Sequence, residues 1–158
     1  MAEIVQLPNL PLLNERGQPE RPLVLLYGMP SWQAKAVRGM EKVSGCVIKT
    51  DVRAVPNGPL HPVEVATAML DYFSSADVVL CWCGEGQEVF YLDHWTYLGV
   101  LIGKWPQKVV IGMKREQDHP MVAGLELMLQ GLQLRYHFTL DNAISVAQER
   151  CRELRRIS

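Results

Sequence analysis

The sequence lacks the features that mark several large classes of protein. No apolar run approaches the roughly 20 residues that a membrane-spanning helix needs, and no signal-peptide pattern opens the chain. Lysine and arginine number 16 against 17 aspartate and glutamate residues, so the formal net charge is −1. No long block of one charge occurs, and a basic surface for nucleic acid is therefore not predicted. We expect a cytoplasmic protein with neither a membrane partner nor a nucleic-acid partner.

Motifs for common cofactors and metals are also absent. The dinucleotide pattern G-x-G-x-x-G and the phosphate-binding P-loop do not occur. The four cysteines are Cys46, Cys81, Cys83 and Cys151. Cys81 and Cys83 have the spacing of two thiols on one face of a strand, but no further Cys or His pair completes a zinc set. The cysteines are predicted to be reduced core residues, and no cofactor or metal is expected.

What the sequence does contain is an alternation of short apolar runs with amphipathic segments. The clearest example is residues 77–104, where an apolar run over 77–83 is followed by a turn at 84–86 and an amphipathic segment. A continuous apolar run followed by a helix is typical of a strand buried on both faces of a parallel sheet. Ligands bind such sheets at the carboxyl ends of the strands.

The whole chain is predicted to form one α/β domain, residues 22–158, preceded by an N-terminal arm over residues 1–21. Strands are predicted over 22–27, 46–49, 77–83, 108–113 and 132–138. Helices are predicted over 32–43, 61–76, 87–104, 120–130 and 141–155. Right-handed crossovers then predict a three-layer, doubly wound, five-stranded parallel sheet of the flavodoxin- or Rossmann-like type, in the order 2-1-3-4-5.

A ligand site is predicted at the carboxyl ends of the first and third strands, where the strand order reverses. The predicted binding residues are Tyr27, Gly28, Met29, Ser31, Trp32, Asp51, Trp82, Gly84 and Glu85. This set is aromatic, rich in glycine and carries carboxylates, which suits a planar base with a sugar beside it. Tyr27, Trp32 and Trp82 are expected to stack on the base. Lys114 and Arg115 follow the fourth strand, where they either pair with a phosphate or lie in a solvated loop.

Glu88 and Asp93 are the predicted catalytic carboxylates. Glu85 and Glu88 flank a glycine at the start of the third helix, where acidic residues can also simply complement the helix dipole. Asp93 lies on a mostly apolar helix, where a buried, hydrogen-bonded aspartate is the alternative. In the catalytic interpretation, one of these carboxylates acts as the nucleophile or the general acid/base on a glycosidic bond.

Four segments resemble the nucleoside 2-deoxyribosyltransferase-like family: residues 27–32, 76–82, 98–104 and 109–112. The resemblance covers about residues 22–115 and implies cleavage or transfer of the N-glycosidic bond of deoxynucleosides by a glutamate on the third helix. Counting back from Gly103 and Lys104 places Trp95 at that position, and aligning on the preceding Leu-Gly pair places Tyr97 there. The second acid of the family falls near Met69, and the nearest carboxylate is Asp71.

Two functions therefore stay open. One is a nucleoside or nucleotide N-glycosidase or deoxyribosyltransferase acting through Asp93 or Glu88. The other is a catalytically inactive nucleotide-binding or protein-interaction module of the same fold. A homodimer or larger assembly is also predicted, because a helix that is apolar on most sides must be buried on most sides. The third helix carries apolar residues around more than one face, among them Phe90, Tyr91, Trp95 and Leu98.

Overall fold

The computed structural model describes residues 1–7, 9–51, 62–83, 92–114 and 120–158. Within these residues the strands are β1 (Glu3–Gln6), β2 (Leu23–Gly28), β3 (Cys46–Asp51), β4 (Val78–Cys83), β5 (Val109–Met113) and β6 (Tyr136–His137). The helices are α1 (Gln33–Met40), α2 (Pro62–Ser75), α3 (Leu92–Lys104), α4 (Pro120–Gly131) and α5 (Leu140–Ile157), with short 3-10 turns at Pro30–Trp32 and Pro106–Lys108. None of the helices in this part of the chain is long and apolar enough to cross a membrane.

The strands form one parallel sheet in the order β1-β3-β2-β4-β5-β6. Leaving β1 aside, the other strands follow the predicted order 2-1-3-4-5, with a helix after each strand. That order is the flavodoxin-like one, in which strands are added first on one side of the starting strand and then on the other. The predicted fold class is confirmed.

The N-terminal segment departs from the prediction. β1 pairs in parallel with β3, from Glu3 opposite Cys46 to Gln6 opposite Lys49. Val5 is buried in the core while its neighbour Ile4 is exposed, as expected when successive side chains of an edge strand point to opposite faces. The sheet therefore has a sixth strand among the described residues, and residues 3–6 belong to the sheet instead of to a separate arm.

Two hydrophobic cores lie on the two faces of the sheet. On one face, Leu25 and Tyr27 of β2 belong to a cluster with residues of α2, α3 and α4. On the other face, Val24 and Leu26 belong to a cluster with residues of α1 and α5. All residues of β2, β4 and β5 are buried, which explains why these strands are continuous apolar runs in the sequence.

The last strand is shorter than predicted. Only Tyr136 and His137 pair with β5, although a strand was predicted over 132–138, where apolar and polar residues alternate. Helix α4 continues to Gly131, and the amide of Leu134 then donates a hydrogen bond back to the carbonyl of Leu129. Gln133 adopts a left-handed conformation with φ of 56°, so the chain turns where the alternating pattern predicted extension.

Candidate functional site

A cleft of about 390 Å³ lies at the carboxyl ends of the strands, on the side of the sheet that α1 and α5 cover. Trp82 comes from the end of β4, Lys114 directly follows β5, and Lys35 belongs to α1. The full lining is Ser31, Trp32, Lys35, Trp82, Lys114, Phe138, Thr139, Leu140 and Asp141. The volume suits a small organic ligand, since ligand pockets span about 300–1,000 Å³.

A second cleft, of about 510 Å³, lies at the other end of the strands. It is lined by Met1, Glu20, Glu41, Lys42, Ser44, Gly45 and Arg155. Gly45 directly precedes β3, so this cleft belongs to the amino ends of the strands. Because ligands of doubly wound sheets bind at the carboxyl ends, the smaller cleft is the better candidate despite its size.

Gly28 lets the first tryptophan of the cleft pack against the end of β2. Its φ of +152° is one that residues with a side chain rarely adopt. A Cβ added at Gly28 would lie 3.0 Å from Trp32 Nε1 and 3.1 Å from the Trp82 carbonyl oxygen. A larger residue would therefore push the indole of Trp32 away from the strand.

Gln33 connects the loop after β2 to the end of β3. Its buried side-chain amide donates hydrogen bonds to the carbonyl oxygens of Gly28 at 3.1 Å and Thr50 at 2.5 Å. The Thr50 hydroxyl in turn donates to the Leu26 carbonyl oxygen at 2.6 Å. Sequence reasoning missed Gln33, although it shares the buried face of α1 with Ala36 and Met40 at helical spacing.

The two tryptophans of the cleft are almost completely buried. Trp32 is 2% exposed and Trp82 is 3% exposed, so neither ring offers an open face for the predicted base stacking. Trp82 lies over Gly112, where an added Cβ would come within 2.5 Å of Trp82 Cε3. Nε1 of each tryptophan is buried without a hydrogen-bond acceptor among the described residues. Both Nε1 atoms lie below the surface of the cleft, so a side chain has to move before either one can donate to a ligand.

The charged groups of the cleft come from helices on the same face. Lys35 Nζ lies 2.8 Å from Asp141 Oδ1, and both side chains are more than half exposed. Such an exposed ion pair contributes only about 0–1 kcal/mol to stability, so either partner can easily form a different contact instead. Thr139 caps α5 by accepting a hydrogen bond from the Asn142 amide at 3.2 Å. With exposed Lys114 added, the described lining holds two ammonium groups and one carboxylate.

Two of the predicted binding residues lie away from this cleft. Tyr27 is fully buried, and its ring contacts Phe73 edge-on with the centroids 5.3 Å apart. Met29 is buried in the same core, which lies on the face covered by α2, α3 and α4. Alternate residues of β2 point to opposite faces of the sheet, so Tyr27 and Met29 are core residues and not lining residues.

The predicted catalytic and acidic residues fall mostly outside the described part of the chain. Gly84, Glu85 and Glu88 lie outside the described residues. Asp51 ends β3 and Asp93 lies in the first turn of α3, but their side chains lie outside the described part. The structure thus brings Gly28, Ser31, Trp32 and Trp82 together, and it adds Lys35, Thr139 and Asp141, which sequence reasoning missed. The chemistry of Asp93 and Glu88 stays a prediction.

The cysteines are core residues, as predicted. All four are unpaired and buried. Burial raises the pKa of the Cys46 thiol to about 11 and that of Cys151 to about 12, so neither thiol ionises near neutral pH. Cys81 Sγ and Cys83 Sγ lie 3.6 Å apart, and burial raises the pKa of Cys81 well above its usual value. The described residues contain no cluster of three or more metal-binding side chains.

Comparisons with known proteins give only weak structural similarities. Neither a protein-family model nor a curated protein matches the chain. The chain is similar to the metal-soaked Flv1 flavodiiron core from Synechocystis sp. PCC6803, at 11% identity and a TM-score of 0.49, over 90% of this chain and 37% of that one. It is also similar to a flavodoxin-like domain from Synechococcus sp., at 18% identity and a TM-score of 0.45, over 85% of this chain and 96% of that one. The fold assignment therefore rests on the strand order, and function has to be argued from the cleft.

Proposed function

We propose that the protein binds a nucleoside or nucleotide in the cleft at the carboxyl ends of the strands. The observation that carries this proposal is the position of the cleft, beside the point where the sheet order reverses between β2 and β4. Two tryptophans, two lysines and the capped start of α5 line this cleft. A nucleotide suits this lining, since its phosphate accepts hydrogen bonds and its base and sugar can pack against the apolar side chains.

A second proposal concerns chemistry on the bound ligand, an N-glycosidase or deoxyribosyltransferase activity through Asp93 or Glu88. It is favoured by chain connectivity, because residue 84 immediately follows β4 and Trp82 of that strand lines the cleft. Glu88 thus follows β4 in the chain, and Asp93 belongs to the first turn of α3, a helix that packs on the sheet face opposite α1 and α5. The resemblance to the nucleoside 2-deoxyribosyltransferase-like family supports the same reaction.

The test is incubation with a panel of nucleosides, deoxynucleotides and NAD, followed by chromatography for free base and by calorimetry. Release of base from one compound supports the enzymatic proposal and identifies the substrate. The Asp93→Asn and Glu88→Gln variants are then compared, and the nucleophile is the one whose loss abolishes turnover while binding persists. Binding without release supports the inactive module, and turnover unaffected by either substitution refutes the assignment of the carboxylates.

We further propose a homodimer in a reducing, cytoplasmic compartment. The support for the compartment is that all four thiols are free, which suits a reducing environment. The support for the dimer is the apolar character of residues 90–98, which include the first turns of α3. In the described part of that segment, Leu98 is buried in the core and Trp95 is partly buried against it. Phe90 and Tyr91 lie outside the described residues.

A further inference from the structure

The most unusual feature of the cleft is its pair of buried indole donors. Leaving a buried N–H without an acceptor costs free energy, so most buried donors in proteins are paired. Trp32 Nε1 and Trp82 Nε1 both lack an acceptor among the described residues, and both side chains line the same cleft. Two unpaired donors at one cleft indicate that an acceptor belonging to a ligand completes the site.

The charges around these donors indicate which kind of acceptor fits. Lys35 and Lys114 place two ammonium groups at the cleft, and Asp141 supplies one carboxylate. The α5 helix, 18 residues long, starts at Leu140, so the positive end of its dipole lies there too. A neutral carbonyl oxygen would accept a hydrogen bond from an indole N–H but would not neutralise the net positive charge of the cleft. A doubly charged oxyanion supplies both the hydrogen-bond acceptors and the negative charge.

We propose that the cleft is a phosphate site, and that the ligand of this protein is a phosphorylated nucleoside instead of a free one. The nucleoside part of this inference rests on the proposed function, whereas the phosphate part is argued from the residues of the cleft alone. Lys114 binds the phosphate directly. Lys35 exchanges its exposed contact with Asp141 for a phosphate oxygen, and the indole N–H groups of Trp32 and Trp82 donate to the remaining oxygens after a side-chain adjustment at the cleft.

The experiment is calorimetric titration with three probes: a nucleoside, the corresponding nucleoside 5′-monophosphate and inorganic phosphate. We expect the monophosphate to bind more tightly than the nucleoside and to lose affinity at high salt. Lys114→Ala should weaken monophosphate binding about tenfold, the scale of one charge-assisted hydrogen bond. Lys104→Ala is the matched control. Lys104 ends α3 shortly before β5 begins, far from the carboxyl ends of the strands, and its ammonium lies over the Trp105 ring.

The indole donors give a second readout in the unmodified protein. The chain has four tryptophans, so a proton–nitrogen correlation spectrum shows up to four indole N–H signals, which Trp32→Phe, Trp82→Phe and Trp105→Phe assign. The monophosphate should move the Trp32 and Trp82 signals downfield, as expected when a donor gains a charged acceptor, and leave that of Trp105 in place. Signals of Trp32 and Trp82 that do not move while the ligand binds would refute the donor role.

The outcomes separate this inference from the proposed function. Equal affinity for nucleoside and monophosphate, unchanged by Lys114→Ala, overturns the phosphate site but leaves nucleoside binding standing. Phosphate binding without any nucleoside contribution supports the phosphate site and overturns the nucleoside proposal. Binding of none of the three probes overturns both.

Discussion

At the residue scale, Gly28 is the position where a single methyl group has the clearest consequence. Its φ is unfavourable for alanine, and the added Cβ would press on Trp32 and on the Trp82 carbonyl. We expect Gly28→Ala to lower the free energy of unfolding by about 1–3 kcal/mol, measured by urea denaturation. The control is Gly99→Ala, at an exposed position of helix α3 where the added Cβ meets nothing within 4 Å, and stability should rise by up to about 1 kcal/mol. A Gly28→Ala variant as stable as the wild type would contradict this role.

His137 predicts a pH dependence of stability. Burial, assisted by Arg150 and Arg135, lowers the pKa of His137 below its usual value of 6.5. The unfolded chain therefore takes up the proton first, so stability is fully present above about pH 6.5 and falls as the pH drops towards the lowered pKa. The His137→Gln variant should lose less stability than the wild type between neutral and mildly acidic pH in urea denaturation. Equal losses would show that His137 does not cause the dependence.

At the element scale, Gln33 holds the loop after β2 in place. Replacing it by methionine keeps the side-chain volume but removes the donor to the buried Gly28 and Thr50 carbonyls. We expect Gln33→Met to cost about 1–3 kcal/mol in unfolding free energy, because those carbonyls stay buried without that donor. It should also weaken ligand binding, because the loop positions Ser31 and Trp32. Gln18→Met, at an exposed position, is the control. Equal effects of the two substitutions would argue against the proposal that Gln33 holds the loop in place.

Element prediction succeeded where burial on both faces leaves a continuous apolar run. β2, β4 and β5 lie within about one residue of their predicted bounds for this reason. β1 escaped prediction because an edge strand needs only one buried side chain here, Val5, and a two-residue apolar patch carries too little signal. β6 was overestimated because a helix end and a turn at Gln133 occupy a sequence that also alternates like a strand.

At the scale of the whole molecule, the strand order determined the edge at which a cleft would be found, but not the face. Local sequence does not show whether Leu26 or Tyr27 points towards α5, since alternation along a strand leaves two equivalent choices. Lys35 and Asp141 lie 106 residues apart in sequence and meet only because α1 and α5 pack on the same face. That pairing depends on the crossovers of the entire chain, so it could be found only from the fold.

The homodimer proposal is tested on the intact chain by light scattering at micromolar concentration. We expect the mass of two chains, about twice 17.9 kDa. The physical reason is that a helix that is apolar on most sides, as predicted for the third helix, needs more cover than one sheet face provides. A mass of a single chain across this concentration range would contradict the proposal.

The central claim is that the cleft at the carboxyl ends of the strands binds a nucleoside or nucleotide, and blocking the cleft tests it most directly. Ser31→Trp places a bulky side chain at the lining of this cleft, and Lys42→Trp does the same at the cleft at the other end of the strands. Calorimetric titration should show a ligand of the panel binding to the wild type and to Lys42→Trp, with binding lost in Ser31→Trp. Unchanged binding in Ser31→Trp, or loss only in Lys42→Trp, would contradict the claim.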